Sequence, residues 1–273
     1  MRVGEFEIHP VKDGEFTLPT RVFFPKTTEE DWAPHKAFIE GDGMLRMPVG
    51  GFVITGEGRV TLVDVGAGPT STWDGFAGGL IDSLTALGIN PDDVTDVLFS
   101  HLHFDHIGWA SKEGRAVFAN ATYRCHVKDW DYFMTQNTHQ GQMAEAVGLP
   151  VYASELLDCC NERFETWDAD TTVLPGIDVR HAPGHTPGST IVVVSSGAER
   201  ALLLGDAVHC PAELLESEWE MIGDVDRDLA RRTREALAKE FEGTNVPLAA
   251  PHFPDMQFGR LLRAEGRLNW AFD

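Results

Sequence analysis

Apolar and polar positions recur with two different periods along this chain. Alternating or continuous branched runs predict strands in "VGGFVIT" (49–55) and "VTLVDVGAG" (60–68), which the turn "GEGR" joins as a hairpin, and in "VTDVLFS" (94–100). Short apolar runs return in "DVRHAP" (178–183), "TIVVVSS" (190–196), "ALLLGD" (201–206) and "VPLAAPH" (246–252). Helical spacing marks 74–89 despite its glycines, much of 127–165, and most clearly "DVDRDLARRTREALAKEF" (224–241), an amphipathic helix. Between an N-terminal strand and the hairpin, residues 25–44 show no clear period. They read as a long loop, of the kind that often serves as a lid or binding element. The order of elements predicts two β-containing halves with helices outside.

No repeat, low-complexity tract or linker interrupts the 273 residues, so a single domain over 1–273 is expected. The net charge of −21 is scattered, with "TTEED" (27–31) and "ELLESEWE" (213–220) as local concentrations that read as solvated faces. Such a surface repels phosphate backbones and anionic lipid, which makes nucleic acid and membrane poor partners even after two dications are added. The start lacks the apolar core of a signal peptide, and the longest apolar runs are too short to cross a bilayer. Four irregularly spaced cysteines suit a reducing compartment, so a soluble, cytoplasmic protein is expected.

The candidate chemistry is densest in "SHLHFDHIG" (100–108), directly after a predicted buried strand. His101 and His103 are two apart, so an extended backbone points both to one side. Asp105 and His106 follow at a turn, before Gly108 lets the chain bend. Imidazole nitrogens plus a carboxylate suit a borderline divalent metal. Three more apolar strands end in a metal-competent residue: His185 in "HAPGHTPGST", Asp206 in "ALLLGDAVH" and His252 in "VPLAAPHFP". Alone, each would be an ordinary cap or packed polar residue; in this order, beside the histidine cluster, they point to one metal site.

The ordered motifs "HLHFDH", "APGHTPGS", "LLGDA" and "APH", with "LVDVG" (62–66) before them, resemble the metallo-β-lactamase-fold hydrolases. The resemblance covers roughly 49–252 and is closest in pattern to the lactonase and organophosphate-hydrolase branch. It implies an α/β fold, a four-layer αββα sandwich with a metal site at one edge of its sheets. It also implies two divalent ions, one held by His101, His103 and His185 and the other by Asp105, His106 and His252. Asp206 would bridge them. Zn²⁺ is the first expectation, and Fe, Mn or Co can occupy such nitrogen-and-oxygen sites. Asp64 is expected outside the ligand set, holding the 101–106 loop or a ligand imidazole.

From this follows a dinuclear metal-dependent hydrolase, in which a metal-bridging hydroxide oriented by Asp105 attacks a small ester, lactone or phosphoester. Lactonases of the branch carry a tyrosine three residues after the bridging aspartate. This chain has His209 there, expected to be a catalytic helper and not a ligand. Trp109, Phe23 and Phe24 are expected to line the substrate pocket, with the 25–44 loop near it, while Phe104 and Cys210 are expected to pack in the core. Two alternatives stay open: a glyoxalase II-like thioesterase, for which "RLLRAEGRLNW" (260–270) is a modest basic patch, and a mononuclear iron persulfide dioxygenase. The expected partner is a small-molecule substrate, and a homodimer is left open.

Overall fold

Two seven-stranded sheets form the centre of the fold in the computed structural model, which describes residues 1–69, 75–216, 218–264 and 266–273. In chain order the strands are β1 (Arg2–Val3), β2 (Phe6–Pro19), β3 (Met44–Gly56), β4 (Arg59–Val63), β5 (Asp96–Leu98), β6 (Ser111–Lys112), β7 (Arg115–Ala116), β8 (Thr122–His126) and β9 (Phe164–Trp167). Then come β10 (Thr171–Leu174), β11 (Ile177–His181), β12 (Thr190–Ser196), β13 (Glu199–Leu203), β14 (Leu248–Ala249), β15 (Gly259–Ala264) and β16 (Arg267–Phe272). The first sheet runs β1-β2-β3-β4-β5-β8-β9, the second runs β10 to β16 in order, and β6 with β7 forms a separate small ribbon. The chain passes from one sheet to the other once, between Trp167 and Thr171.

Strand alternation explains the layers. Side chains of neighbouring residues on a strand face opposite ways. Val63 and Leu98 accordingly enter a core shared with Val192, Val194 and Leu203 of the other sheet. Leu62 and Val97 instead face an outer core with Leu80, Leu84 and Leu157 of the flanking helices. On the far side, Ile191, Val193 and Leu202 pack on Leu237 and Phe241 of the helix Arg227–Phe241. Strands buried on both faces read as continuous apolar runs, the pattern of "TIVVV" and "ALLLG". The result is the αββα sandwich.

The helices differ in detail from their sequence reading. Of 74–89 only Leu80–Ala86 is helical. Gly75 and Gly78, at φ +76° and +110°, hold the preceding segment out of the helix, and Asp74 lies outside the described residues. The 127–165 stretch is a series of short helical turns, the longest of six residues. The C-terminal helix starts at Arg227, with the Asp226 carboxylate accepting from the Leu229 N–H at 2.9 Å as its cap. Residues 25–44 are folded: a helix Glu29–Trp32 begun by a Thr28–Asp31 capping box, then 3₁₀ turns Ala33–Phe38 and Gly41–Gly43. Such breaks leave no 3.6-residue stripe to read, although Trp32 and Phe38 are buried. Among the described residues no helix is long and apolar enough to cross a membrane.

Candidate metal centre

Parallel pairing places the candidate residues. β4, β5 and β8 pair in parallel in the first sheet, and β13 with β14 in the second. Parallel strands bring their C-terminal ends together, where ligands bind in open α/β sheets. Asp64 follows β4, residues 100–106 follow β5, Asp206 follows β13 and His252 follows β14, while His185 comes from the β11–β12 loop. His103 is still extended (φ −71°, ψ 153°), so it shares a side with His101. The helix Phe104–Ile107 then turns Asp105 and His106 into the same space.

Two glycines permit this approach. Gly205 has φ +52°, and a Cβ there would lie 2.6 Å from Ser100 Cβ, so the turn into Asp206 needs glycine twice over. Gly108 does not provide the bend expected of it, being helical at φ −59°. Its need is space: a Cβ would lie 1.9 Å from the Ala67 backbone.

Five imidazoles crowd the Asp206 carboxylate. Its Oδ2 lies 3.8 Å from His101 Nε2, 3.6 Å from His185 Nε2, 3.4 Å from His252 Nε2 and 3.2 Å from His209 Nε2. Its Oδ1 lies 3.3 Å from His106 Nε2. Asp105 Oδ2 faces His252 Nε2 at 3.5 Å and His106 Nε2 at 3.8 Å. Donor atoms fall into groups within 4.8 Å of one another: His101 with His103 and His185, Asp105 with His106 and His252, Asp206 with His101 and His106, and His185 with His209 and Asp224. His101 Nε2, His106 Nε2 and Asp206 Oδ1 are buried with no hydrogen-bond partner among the described residues. Buried donors without partners are costly, and a cation shared among imidazoles and a central carboxylate would satisfy them. The residue set therefore fits two divalent ions.

The opposite nitrogens of these rings are held from outside. His106 Nδ1 is 2.9 Å from Asp64 Oδ2, and His101 Nδ1 is 3.1 Å from Ser100 Oγ, which itself donates to Asp64 Oδ2 at 2.7 Å. Asp64 Oδ1 accepts the Ser100 N–H at 2.8 Å. Asp64 does this from φ +62°, a strained conformation for a residue with a side chain. His252 Nδ1 faces Pro48 O at 2.7 Å and His185 Nδ1 faces Asp224 Oδ1 at 3.2 Å. Such partners fix ring orientation and raise ligand basicity. The fully buried Asp129 ties the two histidine loops, accepting from the N–H of Leu102 and Gly188 and the Thr186 hydroxyl. Burial pushes its carboxyl up to about 7, against the pull of those donors.

Among the protein groups alone, burial lowers His101 well below its usual value and His103 to about 3. At His252 burial is outweighed by Asp206 and Asp105, which raise it to about 9, and at His209 by Asp206 and Glu213, which raise it to about 10. Asp105 is lowered to about 2, because His106 and His252 outweigh its burial. His252 and His106, the latter raised by Asp206, Asp64 and Asp105, thus hold protons that a cation would displace, whereas His101 and His103 are already neutral.

A cavity of about 580 Å³ opens onto this cluster, lined by His103, Asp105, His185, Asp206, His209 and His252 at its base. Phe16, Phe23, Met47, Phe76, Phe104 and Met143 form its apolar wall. Phe104 packs in a buried cluster with Val49 and Phe76, as expected, and also borders the cavity. Two expected wall residues do not. Trp109 is enclosed in the outer core of the first sheet, and its Nε1–H donates to Asp13 Oδ1 at 2.7 Å. Asp13 also accepts from the backbone of Ala67, Gly68, Gly78 and Leu80, which makes Trp109 part of a structural junction. Phe24 is fully buried against Trp32 and Trp219, one layer behind Phe23. None of residues 25–44 lines the cavity; they back the wall, with Trp32 and Phe38 packed near Cys210 and Met221. The arginines of 260–270 lie elsewhere, Arg260 paired with Asp273 and Arg263 with Glu242.

Sequence reasoning missed Ser100, Asp129, Glu213, Asp224 and Arg234. Glu213 opens the acidic run taken for a solvated face, yet its side chain is fully buried and accepts the His209 N–H at 2.6 Å. The one available signal was its position four residues after His209.

Comparison with known proteins agrees with this architecture. The metallo-beta-lactamase superfamily model matches residues 48–246. An N-acyl homoserine lactonase of Bacillus sp is 28% identical over 165 residues, covering 59% of this chain and 58% of that protein. One of Bacillus cereus is 25% identical over 221 residues, covering 72% and 79%. Among solved structures, AidC, a dizinc quorum-quenching lactonase in complex with a product, superposes with a TM-score of 0.86 at 24% identity, covering 100% of this chain and 96% of that one. The hydrolase AbOPH, in the beta lactamase superfamily, gives 0.85 at 23% identity, covering 100% and 95%. With its motifs, sheets and donor cluster in the order of that family, the chain belongs to the metallo-beta-lactamase superfamily.

Proposed function

We propose that the protein is a metal-dependent hydrolase of small, uncharged lactones or esters, working with two divalent ions held by His101, His103 and His185 and by Asp105, His106 and His252, with Asp206 between them. The observation that carries this reading is the gathering of these seven residues into one cluster, with Asp206 among its imidazoles, at the base of an apolar cavity. When bound, the two cations supply a Lewis acid for the carbonyl oxygen and lower the pKa of water in the site. Asp105, facing the cavity and ionised far below neutral pH, orients the attacking water and accepts its proton. The apolar wall excludes bulk water and receives the substrate's hydrocarbon portion.

The cavity also bears on substrate charge. Among its described lining residues there is no lysine or arginine, while Asp105 and Asp206 face into it. An anionic glutathione thioester or phosphomonoester would find no lysine or arginine there to hold its charged groups away from the cations, whereas a lactone, a neutral ester or a phosphotriester needs none. The acyl lactones in the names of the relatives are of this uncharged class. The filled second donor group favours hydrolysis over a one-iron dioxygenase.

The test combines elemental analysis of Zn²⁺-loaded protein with a rate panel. Two ions per chain are expected, with turnover of neutral lactones or aryl esters and none of anionic thioesters. One ion per loaded chain, or a preference for anionic thioesters, would overturn the reading.

His209 lines the cavity beside Asp206 and is the residue we assign to the reacting oxygen or leaving group, as hydrogen-bond donor or proton shuttle. Two adjacent dications oppose the protonation that Asp206 and Glu213 favour, which leaves a neutral imidazole for that task. His209→Ala should lower kcat by roughly 10²-fold with metal content unchanged. Loss of an ion would make His209 a ligand, and unchanged kcat would make it structural.

A further inference from the structure

The stripe that the helix Arg227–Phe241 turns to the core is apolar except at one position. Ala230, Leu237 and Phe241 pack there, and Arg234 lies among them only 2% exposed. A guanidinium is costly to desolvate and persists in a core where it is paired. Arg234 Nη2 donates to Asp224 Oδ2 at 3.0 Å, and its Nη1 is ion-paired with Glu213 Oε1 at 3.4 Å without a hydrogen bond; both carboxylates are fully buried. Nη2 also reaches Trp219 O at 3.5 Å.

Each carboxylate turns its other oxygen to an imidazole of the centre. Asp224 Oδ1 is 3.2 Å from His185 Nδ1. Glu213 Oε2 accepts the N–H of His209 at 2.6 Å and of Cys210 at 3.0 Å, and lies 3.5 Å from His209 Nδ1. The rings of His185 and His209 are 4.7 Å apart, both beside Asp206.

We propose that Arg234 is a positioning residue for the second-sheet side of the centre: its two terminal nitrogens hold Asp224 and Glu213, and through them fix the rings of His185 and His209 together. This rests on the metal-dependent reading above. The guanidinium fork suits the task because separate nitrogens reach separate carboxylates at fixed spacing, which a lysine ammonium cannot do. It also leaves the trio with one net negative charge. Without it, two mutually repelling carboxylates remain behind the two imidazoles.

The test is Zn²⁺ affinity by chelator competition, on the full chain, with folding followed by circular dichroism. Arg234→Met should weaken one ion roughly 10–100-fold, the range for losing such outer partners, and leave the other in place. Arg234→Lys should fall between the two. Arg234→Met with Glu213→Gln restores the net charge and should recover most of the affinity. Arg234→Met with Asp224→Leu has the same net charge but removes the His185 partner, and should not recover. Wild-type affinity in a folded Arg234→Met chain, or equal recovery in both double variants, would overturn the proposal. If the Met variant does not fold, Arg234→Lys decides, and wild-type affinity there overturns it. A wild-type chain that takes up a single ion would count against the two-ion reading alone, since the affinity for that ion remains the readout for Arg234.

Discussion

Asp206→Asn is expected to deplete the centre of cations and to cut turnover by at least roughly 10²–10³-fold, the range for removing one charge-stabilising group. The expectation follows from the crowding of imidazoles around one carboxylate. Oδ2 is within 3.8 Å of four of them and Oδ1 is 3.3 Å from a fifth. Asparagine keeps the shape but turns one oxygen into an NH₂ group, which would point donor hydrogens at nitrogens and cations that both need an acceptor. It also removes one of the two carboxylate charges that balance two dications. The measurement is metal per chain by elemental analysis, with turnover assayed at saturating Zn²⁺. Retention of two tightly held ions with near wild-type turnover would show that Asp206 is not the shared residue of the site.

Asp105→Asn tests a different property. Asp105 shares His106 and His252 with the centre, yet its side chain is 14% exposed and lines the cavity, so it is the carboxylate that a substrate-side water can reach. His106 and His252 hold it ionised down to about pH 2, despite burial that opposes this. An amide in its place can neither accept a proton nor balance charge. A fall in kcat of roughly 10²–10⁴-fold is expected, the span for a positioned acid or base, with the melting temperature little changed. Substrate affinity should change much less than kcat, because the apolar wall is untouched. Near wild-type turnover with both ions bound would remove Asp105 from the chemistry.

The chain displays some of this openly and conceals the rest for physical reasons. The strand ends at Ser100, Asp206 and His252 were legible because β-branched runs of fixed period stop abruptly at polar residues. Donor spacing within "HLHFDH" was legible because extended and helical backbones have fixed side-chain directions. Arg234 was not, since the amphipathic pattern of 227–241 assigns a face to each position but does not say that a charge on the buried face has partners elsewhere. Glu213 and Asp224 lie 21 and 10 residues from Arg234 in sequence, and their pairing exists only in the fold. Trp109 left its expected place on the pocket wall because an indole can be buried where its N–H finds an acceptor. Asp13, nearly a hundred residues away, provides it.

The single passage between the sheets, from Trp167 to Thr171, has a consequence for assembly. Apart from the β6–β7 ribbon, the strands before it build one sheet and those after it build the other. His101, His103, Asp105 and His106 come from the first part, and His185, Asp206 and His252 from the second. Neither part alone contains a complete donor group of the kind assigned to either ion. Each ion would therefore act as a clasp across the seam. Its binding energy would be drawn on whenever the two layers part, and a chain nicked at that passage would still be fastened at its catalytic end. Catalysis and cohesion would then have a common component, and a chelator would loosen the sandwich as it silences the enzyme.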